Sequence, residues 1–509
     1  MRMRNASLTC GLLTLASILT AATPLAAQEQ PPVTDPPAQT ETAAANESST
    51  AKDAKHPTTQ PMALQSLIPT LPDYSGDVWK RGYLTGDWGG ARTQLAEHGV
   101  LFDLDVTQVL QGNAHGGKNT KGALEYGGSA DYTLRLDTAR MGLWPGGLIT
   151  LHGETQFGRA TNGNTGSLGS PNFKSLLPVP GDPGITTLSE YYLTQALSET
   201  FVIVAGKMDL TAAGDRNVFA GDTKHYTQFM NTAFNVNPVL LSAAPYTAMA
   251  AGFVLLPTKW LTISTLVSDN DPDGAATMTG FNTAFHGRTW LTVMQEYAVK
   301  IKLLDKPGNQ RFGWFYTTKD FIDFAGDPRL QLPGRQQSFG LLPRNVGPFR
   351  LRKPPRWLRS VRVGDTVLSA DGPDKCPDDW GFYYNFDQYL YTETEDPTQG
   401  FGLFGRFGWS NGECNPIEEF YSIGLGGKGS IPCRDHDTWG LGYYLINMTD
   451  DLPRMLGLNA EQGVELFYNI EITPWLHLSP NLQVIVDPGA GYQDRDVAVI
   501  YGMRAQMTF

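Results

Sequence analysis

The groups in this chain with chemistry to offer are polar and charged side chains set at every second position. Asp103, Asp105 and Thr107 alternate with Phe102, Leu104 and Val106, and Asp131, Thr133 and Arg135 with Tyr132, Leu134 and Leu136. His152, Glu154 and Gln156 stand opposite Ile149, Leu151 and Phe157. Near the end, Glu465, Phe467, Asn469 and Glu471 oppose Val464, Leu466, Tyr468 and Ile470. His477, Ser479, Asn481 and Gln483 oppose Leu476, Leu478, Leu482 and Val484. Such a wall presents fixed charges of both signs and many hydrogen-bonding groups to whatever passes it. It does not offer catalysis. There is no G-x-S-x-G elbow and no H-E-x-x-H pair. Neighbouring carboxylates such as Asp103 and Asp105 share a face, with nothing beyond proximity to split their pKa values. The reading is of a protein that is not an enzyme and uses no metal or cofactor.

A period of two is the signature of strands. Sixteen such segments can be marked, from 100–112 through 186–197, 200–210, 245–257, 311–323 and 379–393 to 496–509. The last is the clearest: Tyr501, Met503, Ala505, Met507 and Phe509 share one face up to the carboxylate. Connections alternate between short (198–199, 258, 474) and long (159–185, 211–244, 271–287, 324–378), although the rule fails around 412–416 and 428–436. Short turns at one end and long loops at the other suit an all-β, transmembrane antiparallel barrel with both termini at the short-turn end. Arg or Lys at mid-bilayer on the lipid face costs about 2–4 kcal/mol, so confining charge to one face points to a wet lumen.

Composition agrees. Gly numbers 55 of 509 residues, aromatics make up 11 % and charged residues 18 %, as a barrel with half of each strand apolar would have. The formal charge of −12 argues against a nucleic-acid partner. Arg2, Arg4 and the apolar run Leu8–Leu19 before Ala21–Ala27 read as a signal peptide over 1–27. Residues 28–65, rich in Pro, Thr and Ala, read as a disordered periplasmic spacer, leaving 66–509 as the barrel.

Several motifs, in order, carry a resemblance. "LTGDWGGAR" at Leu84–Arg92, "GKMD" at Gly206–Asp209, "FMNTAF" at Phe229–Phe234, "WGFYYNFDQYLY" at Trp380–Tyr391, "GSIPCRDHDTWGLGY" at Gly429–Tyr443 and "LSPNLQVIVDPG" at Leu478–Gly489 are similar to the carbohydrate-selective porins, the OprB family. Two features depart from that family: Cys433 stands where it usually has Gly, and 324–378 is longer and more basic. The resemblance implies a sixteen-stranded outer-membrane barrel for passive diffusion of monosaccharides such as glucose into the periplasm. A sugar offers hydroxyls to charged and amide groups and C–H faces to rings. Asp131, Arg135, Glu154, Glu190, Lys207 and Arg406 are the candidates for pore lining and sugar contact; Tyr389 and Tyr391 are candidates for ring faces or for an aromatic girdle. The rival reading is a structural or adhesive barrel without sugar selectivity, its lumen filled.

Four further expectations attach to connections. The segment 211–244, with Asp215, Arg216, Asp222, Lys224 and His225, is expected to fold inward as a constriction. Asp87 is placed to N-cap a short periplasmic helix carrying Trp88, Ala91, Arg92 and Leu95. The cationic 324–378, with Arg344, Arg350, Arg352, Lys353, Arg356, Arg359 and Arg362, suits lipopolysaccharide phosphates, attraction of anionic sugars or simple solvation. Pairing the tenth and eleventh strands about a turn near Asp396 brings Cys376 close to Cys414, a candidate disulfide that leaves Cys433 free. Expected partners are the sugar, outer-membrane lipid and the barrel assembly machinery, which reads the terminal Phe509; the protein is expected to be a monomer.

Overall fold

The computed structural model describes residues 66–68, 70–173, 186–221, 227–243, 246–270, 290–322, 362–363, 366–367, 375–450, 458, 460–491 and 496–509. The expected signal peptide and spacer, Asp222, Lys224, His225 and most of 324–378 lie outside the described residues.

Sixteen antiparallel strands close into one barrel. In chain order they are β1 (Val100–His115), β2 (Leu124–Asp137), β3 (Gly147–Gly158), β4 (Thr186–Ser198), β5 (Phe201–Asp209), β6 (Thr247–Thr258), β7 (Leu261–Asp269) and β8 (Leu291–Leu303). Then follow β9 (Lys306–Thr317), β10 (Asp379–Thr392), β11 (Gly400–Ser410), β12 (Ile417–Lys428), β13 (Thr438–Met448), β14 (Ala460–Thr473), β15 (Leu476–Val486) and β16 (Val497–Thr508). Closure is made by β1 against β16, with Asp105 opposite Thr508 and Leu110 opposite Met503. The Phe509 amide donates to the Leu104 carbonyl at 2.8 Å. Full closure satisfies every strand edge, which a bilayer demands because it offers no water to an unpaired amide.

The alternation of side chains works as the sequence shows. Phe102, Tyr132, Leu466 and Leu482 are exposed on the outer face, while Asp103, Asp131, Glu465 and Asn481 are buried inside. The ninth strand differs from the expected 311–323. It begins at Lys306 because Leu304 and Asp305, at φ 54° and 58°, make a two-residue turn whose twist matches the strands. Pro307 and Gly308 look like loop residues but are paired with Lys302 and Ile301. Around 411–416 and 429–437 the expected strands stand, with a bulge between Ile417 and Glu419, and the connections there are simply a short loop and a longer turn.

At the end holding both termini, residues 66–68 and 70–98 lie against the barrel. Leu84 donates its amide to Thr508, and the Trp475 indole donates to Val78. Helix α1 (Ala91–Glu97) follows Gly90, and the Asp87 carboxylate accepts from the Thr93 amide at 2.9 Å. Asp87 thus satisfies an orphan donor of the helix from outside its first turn. At the opposite end Cys376 and Cys414 are disulfide-bonded, with Cα atoms 5.5 Å apart; Cys433, in the turn between β12 and β13 at the end with the termini, is a free, exposed thiol. Cys433 has φ 64°, a conformation glycine takes without strain.

Candidate functional site

The site is the barrel interior, and its main occupant is the connection between β5 and β6. Leaving Asp209, the chain runs to the far wall. Glu296 on β8 accepts from the Asp215 amide at 2.7 Å, and Asn385 on β10 donates to the Asp215 carboxylate at 2.6 Å. Arg406 on β11 bonds the same carboxylate at 3.0 Å and the carbonyls of Asp215, Phe234 and Gly221. Further on, Arg504 on β16 takes the Gln228 carbonyl, and Glu465 on β14 accepts the amides of Met230 and Asn231 at 2.7 and 2.9 Å. Helices α3 (Thr232–Asn235, capped by Asn231) and α4 (Pro238–Ala243) follow, and the segment returns through Tyr246, whose hydroxyl donates to Glu154 on β3. The segment therefore crosses the interior.

Apolar packing holds it there. Phe219, Phe229 and Phe234 form one buried cluster with the inward-facing Phe404, Phe420, Tyr444, Ile446 and Phe467. Phe229 lies 4.8 Å from Phe467 and 4.4 Å from Phe234, centroid to centroid. The wall makes room with glycine. A Cβ on Gly402 would stand 2.6 Å from the Phe219 ring, and one on Gly442 would stand 2.5 Å from Phe234. Against the expectation of a polar lumen throughout, the inner face of β11–β13 is largely apolar and packed against the crossing segment, with Arg406 among its few polar groups. The signal was present: Gly402, Gly424, Gly426, Gly440 and Gly442 stand at inward positions, matched by the phenylalanines of "FMNTAF" and Phe219.

A second connection, between β3 and β4, enters beside the first. It carries α2 (Asn162–Thr165), and the Thr232 amide donates to Ser170 while the Phe173 amide donates to Met230. Glu461 accepts the amides of Leu168 and Gly169, at 2.6 and 2.7 Å, together with the Gly489 amide and the Tyr444 hydroxyl.

The opposite wall, β1–β5, holds a charged network. His152 bonds Glu190 through Nδ1 at 2.7 Å and Asp131 through Nε2 at 3.2 Å. Glu190 also accepts the Asp209 amide, while Glu154 takes Ser189 and Tyr246. Lys207 is buried here, its ammonium 3.4 Å from the Leu188 carbonyl. The ligand atoms of Asp131, His152 and Glu154 lie within 4.8 Å of one another, but protein donors engage each, and the set reads as a hydrogen-bonded network. Towards the end with the termini, Asp103 bridges Arg135 and Arg92. The Arg92 guanidinium lies 4.1 Å over Tyr74 and 4.4 Å over Tyr83, clamping residues 70–98 to the barrel. Burial there pushes the Tyr74 phenol up to about 12, with the Asp103 charge adding to it.

The six inward candidates thus divide. Asp131, Glu154, Glu190 and Lys207 meet in one network, Arg135 belongs to the N-terminal clamp, and Arg406 belongs to the crossing segment; all six are buried. Asp215 lies at the centre of the Arg406 contacts, and Arg216 follows it half-buried. Tyr389 and Tyr391, which simple alternation puts on one face, are separated by a bulge: Tyr389 packs on Phe219 inside and Tyr391 stacks on Phe401 outside. Missed from sequence were Glu296, Asn385, Arg311, Asp387 and Glu461; Glu465 was placed on the inner face, but its hold on the crossing segment was not foreseen. Arg311 and Asp387 pair at 2.8 Å on β9 and β10.

A closed sixteen-stranded barrel, apolar outside, polar and partly filled inside, is a channel-forming outer-membrane protein. The sequence pattern described as "Carbohydrate-selective porin, OprB family" matches residues 121–509, and the chain belongs to that family. Porin B of Pseudomonas aeruginosa is 23 % identical over 458 residues, covering 84 % of this chain and 91 % of its own length. The high-pH structure of Pseudomonas putida OprB superposes with a TM-score of 0.71 at 20 % identity, covering 86 % of this chain and all of the other. The low-pH structure gives 0.50 at 16 % identity, covering 84 % of this chain and 99 % of the other. The protein is an outer-membrane porin for carbohydrates and not an enzyme.

Proposed function

We propose that the protein admits monosaccharides such as glucose to the periplasm by passive diffusion, with selection at the crossing segment between β5 and β6. The observation that carries this reading is the anchoring of Asp215 by Arg406 and Asn385, which holds a loop across the interior. A neutral sugar needs fixed hydrogen-bonding groups and no strong field of one sign. The charges inside are accordingly paired, Arg311 with Asp387 and Arg406 with Asp215. In this reading Asp131, Glu154, Glu190, Lys207, Arg135 and Arg406 hold the surfaces that the sugar meets. Export by a cleaved signal peptide, recognition of Phe509 by the assembly machinery, lipopolysaccharide contact through 324–378 and a monomeric state complete the proposal.

The filled side of the lumen favours one rival, a structural or adhesive barrel. Planar-bilayer recording separates them. A porin conducts, and its current falls as glucose is added; a barrel that passes no current belongs to the rival. A liposome-swelling series from pentoses to disaccharides then ranks the sugars, and equal rates for all sizes would remove selectivity.

A further inference from the structure

Two carboxylates on one strand do a task that no motif announced. Glu461 and Glu465 stand four residues apart on the inner face of β14, both buried. Each oxygen of Glu461 accepts two donors: Oε2 takes the amides of Leu168 and Gly489, and Oε1 takes the Gly169 amide and the Tyr444 hydroxyl. Glu465 takes the Met230 amide and Asn481 on Oε1, and the Asn231 amide on Oε2. One carboxylate therefore holds the β3–β4 connection and the other holds the β5–β6 segment. Between the two connections run direct links, Asn231 Nδ2 to the Gly169 carbonyl at 3.1 Å and the Thr232 amide to Ser170 at 2.9 Å.

We infer that Glu461 and Glu465 are positioning residues that lock the β3–β4 and β5–β6 connections into one unit, so that the first connection helps set the pore selectivity of the second. The inference rests on the constriction reading above. A carboxylate is needed because only an acceptor on both oxygens serves two sets of donors; an amide of the same shape turns N–H toward N–H. A buried donor left unpaired makes the displaced loop position more populated.

Single-channel current and sugar block are recorded for the wild type, Glu461→Gln, Glu465→Gln and Asn231→Asp. Asn231→Asp keeps the oxygen that caps α3 and removes the amide group that donates to the Gly169 carbonyl and to Gln483 on β15. Gln483→Ala, which leaves the Gly169 link in place, is recorded beside it to separate the two bonds. In each of the first three variants, time spent at a larger conductance rises about tenfold and sugar block weakens by a similar factor, the scale of one buried unpaired donor. Heat-modifiability of the barrel stays as in the wild type for Asn231→Asp. Wild-type current and block in all three would overturn the inference. Should the glutamine variants fail to assemble, Asn231→Asp decides alone. Excision of 211–244 is the control: if it raises conductance while the variants behave as wild type, only the coupling falls. If excision itself changes nothing, the constriction reading falls with it.

Discussion

The two sides of this barrel interior are built on different physics. Along β11–β13 the inner face is mostly Gly and aromatic or aliphatic side chains, with Arg406 as a buried charge among them, and the crossing segment is seated there largely by ring packing over glycine gaps. Along β1–β5 the inner face is Asp, Glu, His and Lys, buried but satisfied by one another and by the stems of the same segment. Apolar packing is tolerant of direction and sums over many contacts, so it fixes where the loop rests. The charged network is directional and fixes how the stems leave the wall. A porin with only the polar side would be an open hole; one with only the apolar side would have nothing to orient its loop.

Four changes test that contrast, in falling order of effect. Excising 211–244 to a short turn exposes the apolar side, and conductance in planar bilayers rises several-fold while glucose block is lost; an unaltered conductance breaks the contrast outright. Arg406→Ala leaves Asp215 buried without its cation, a loss of about 3–5 kcal/mol in loop docking. The channel then shows a raised, unsteady conductance, with the barrel still heat-modifiable. Gly442→Leu drives a side chain into Phe234 and costs the seated loop about 1–3 kcal/mol. Gly153→Ala on β3, whose added Cβ meets nothing closer than 3.7 Å, conducts as the wild type.

A change outside the pore concerns Asp437, in the turn between β12 and β13. Burial raises its pKa, but bonds from Arg434, Tyr468 and the Glu471 amide outweigh that and hold it below the ordinary 3.8. A depressed folded pKa gives stability that is fully present above the unfolded value and lost as pH falls through the folded one. The melting temperature of the wild type therefore drops as pH falls below about 4. Asp437→Asn melts lower at neutral pH and loses that part of the acid dependence, read by circular dichroism in detergent.

Much of the polar side was legible from sequence because strand alternation is local: Asp103, Asp131 and Glu154 announce their face within five residues. The apolar side was hidden. The loop that packs on Phe404 and Phe420 lies almost two hundred residues upstream of them. Partners were less legible than faces. Nothing local joins Arg406 to Asp215 or Glu461 to Leu168, since each pair meets only after the barrel closes. The bulge between Tyr389 and Tyr391 escaped notice because one extra residue leaves no compositional mark.

The seam between β1 and β16 has a consequence for the protein's birth. Every other neighbouring pair in the wall is adjacent in the order of the barrel strands, but Asp105 meets Thr508 across four hundred residues of chain. The first strand therefore leaves the ribosome long before its partner is made, and one of its two ladders of amides stays bare until then. An exposed edge of that kind recruits whatever strand comes by. The last residues, Tyr501 to Phe509, are then a timer as well as a wall: until they arrive, the chain needs an escort.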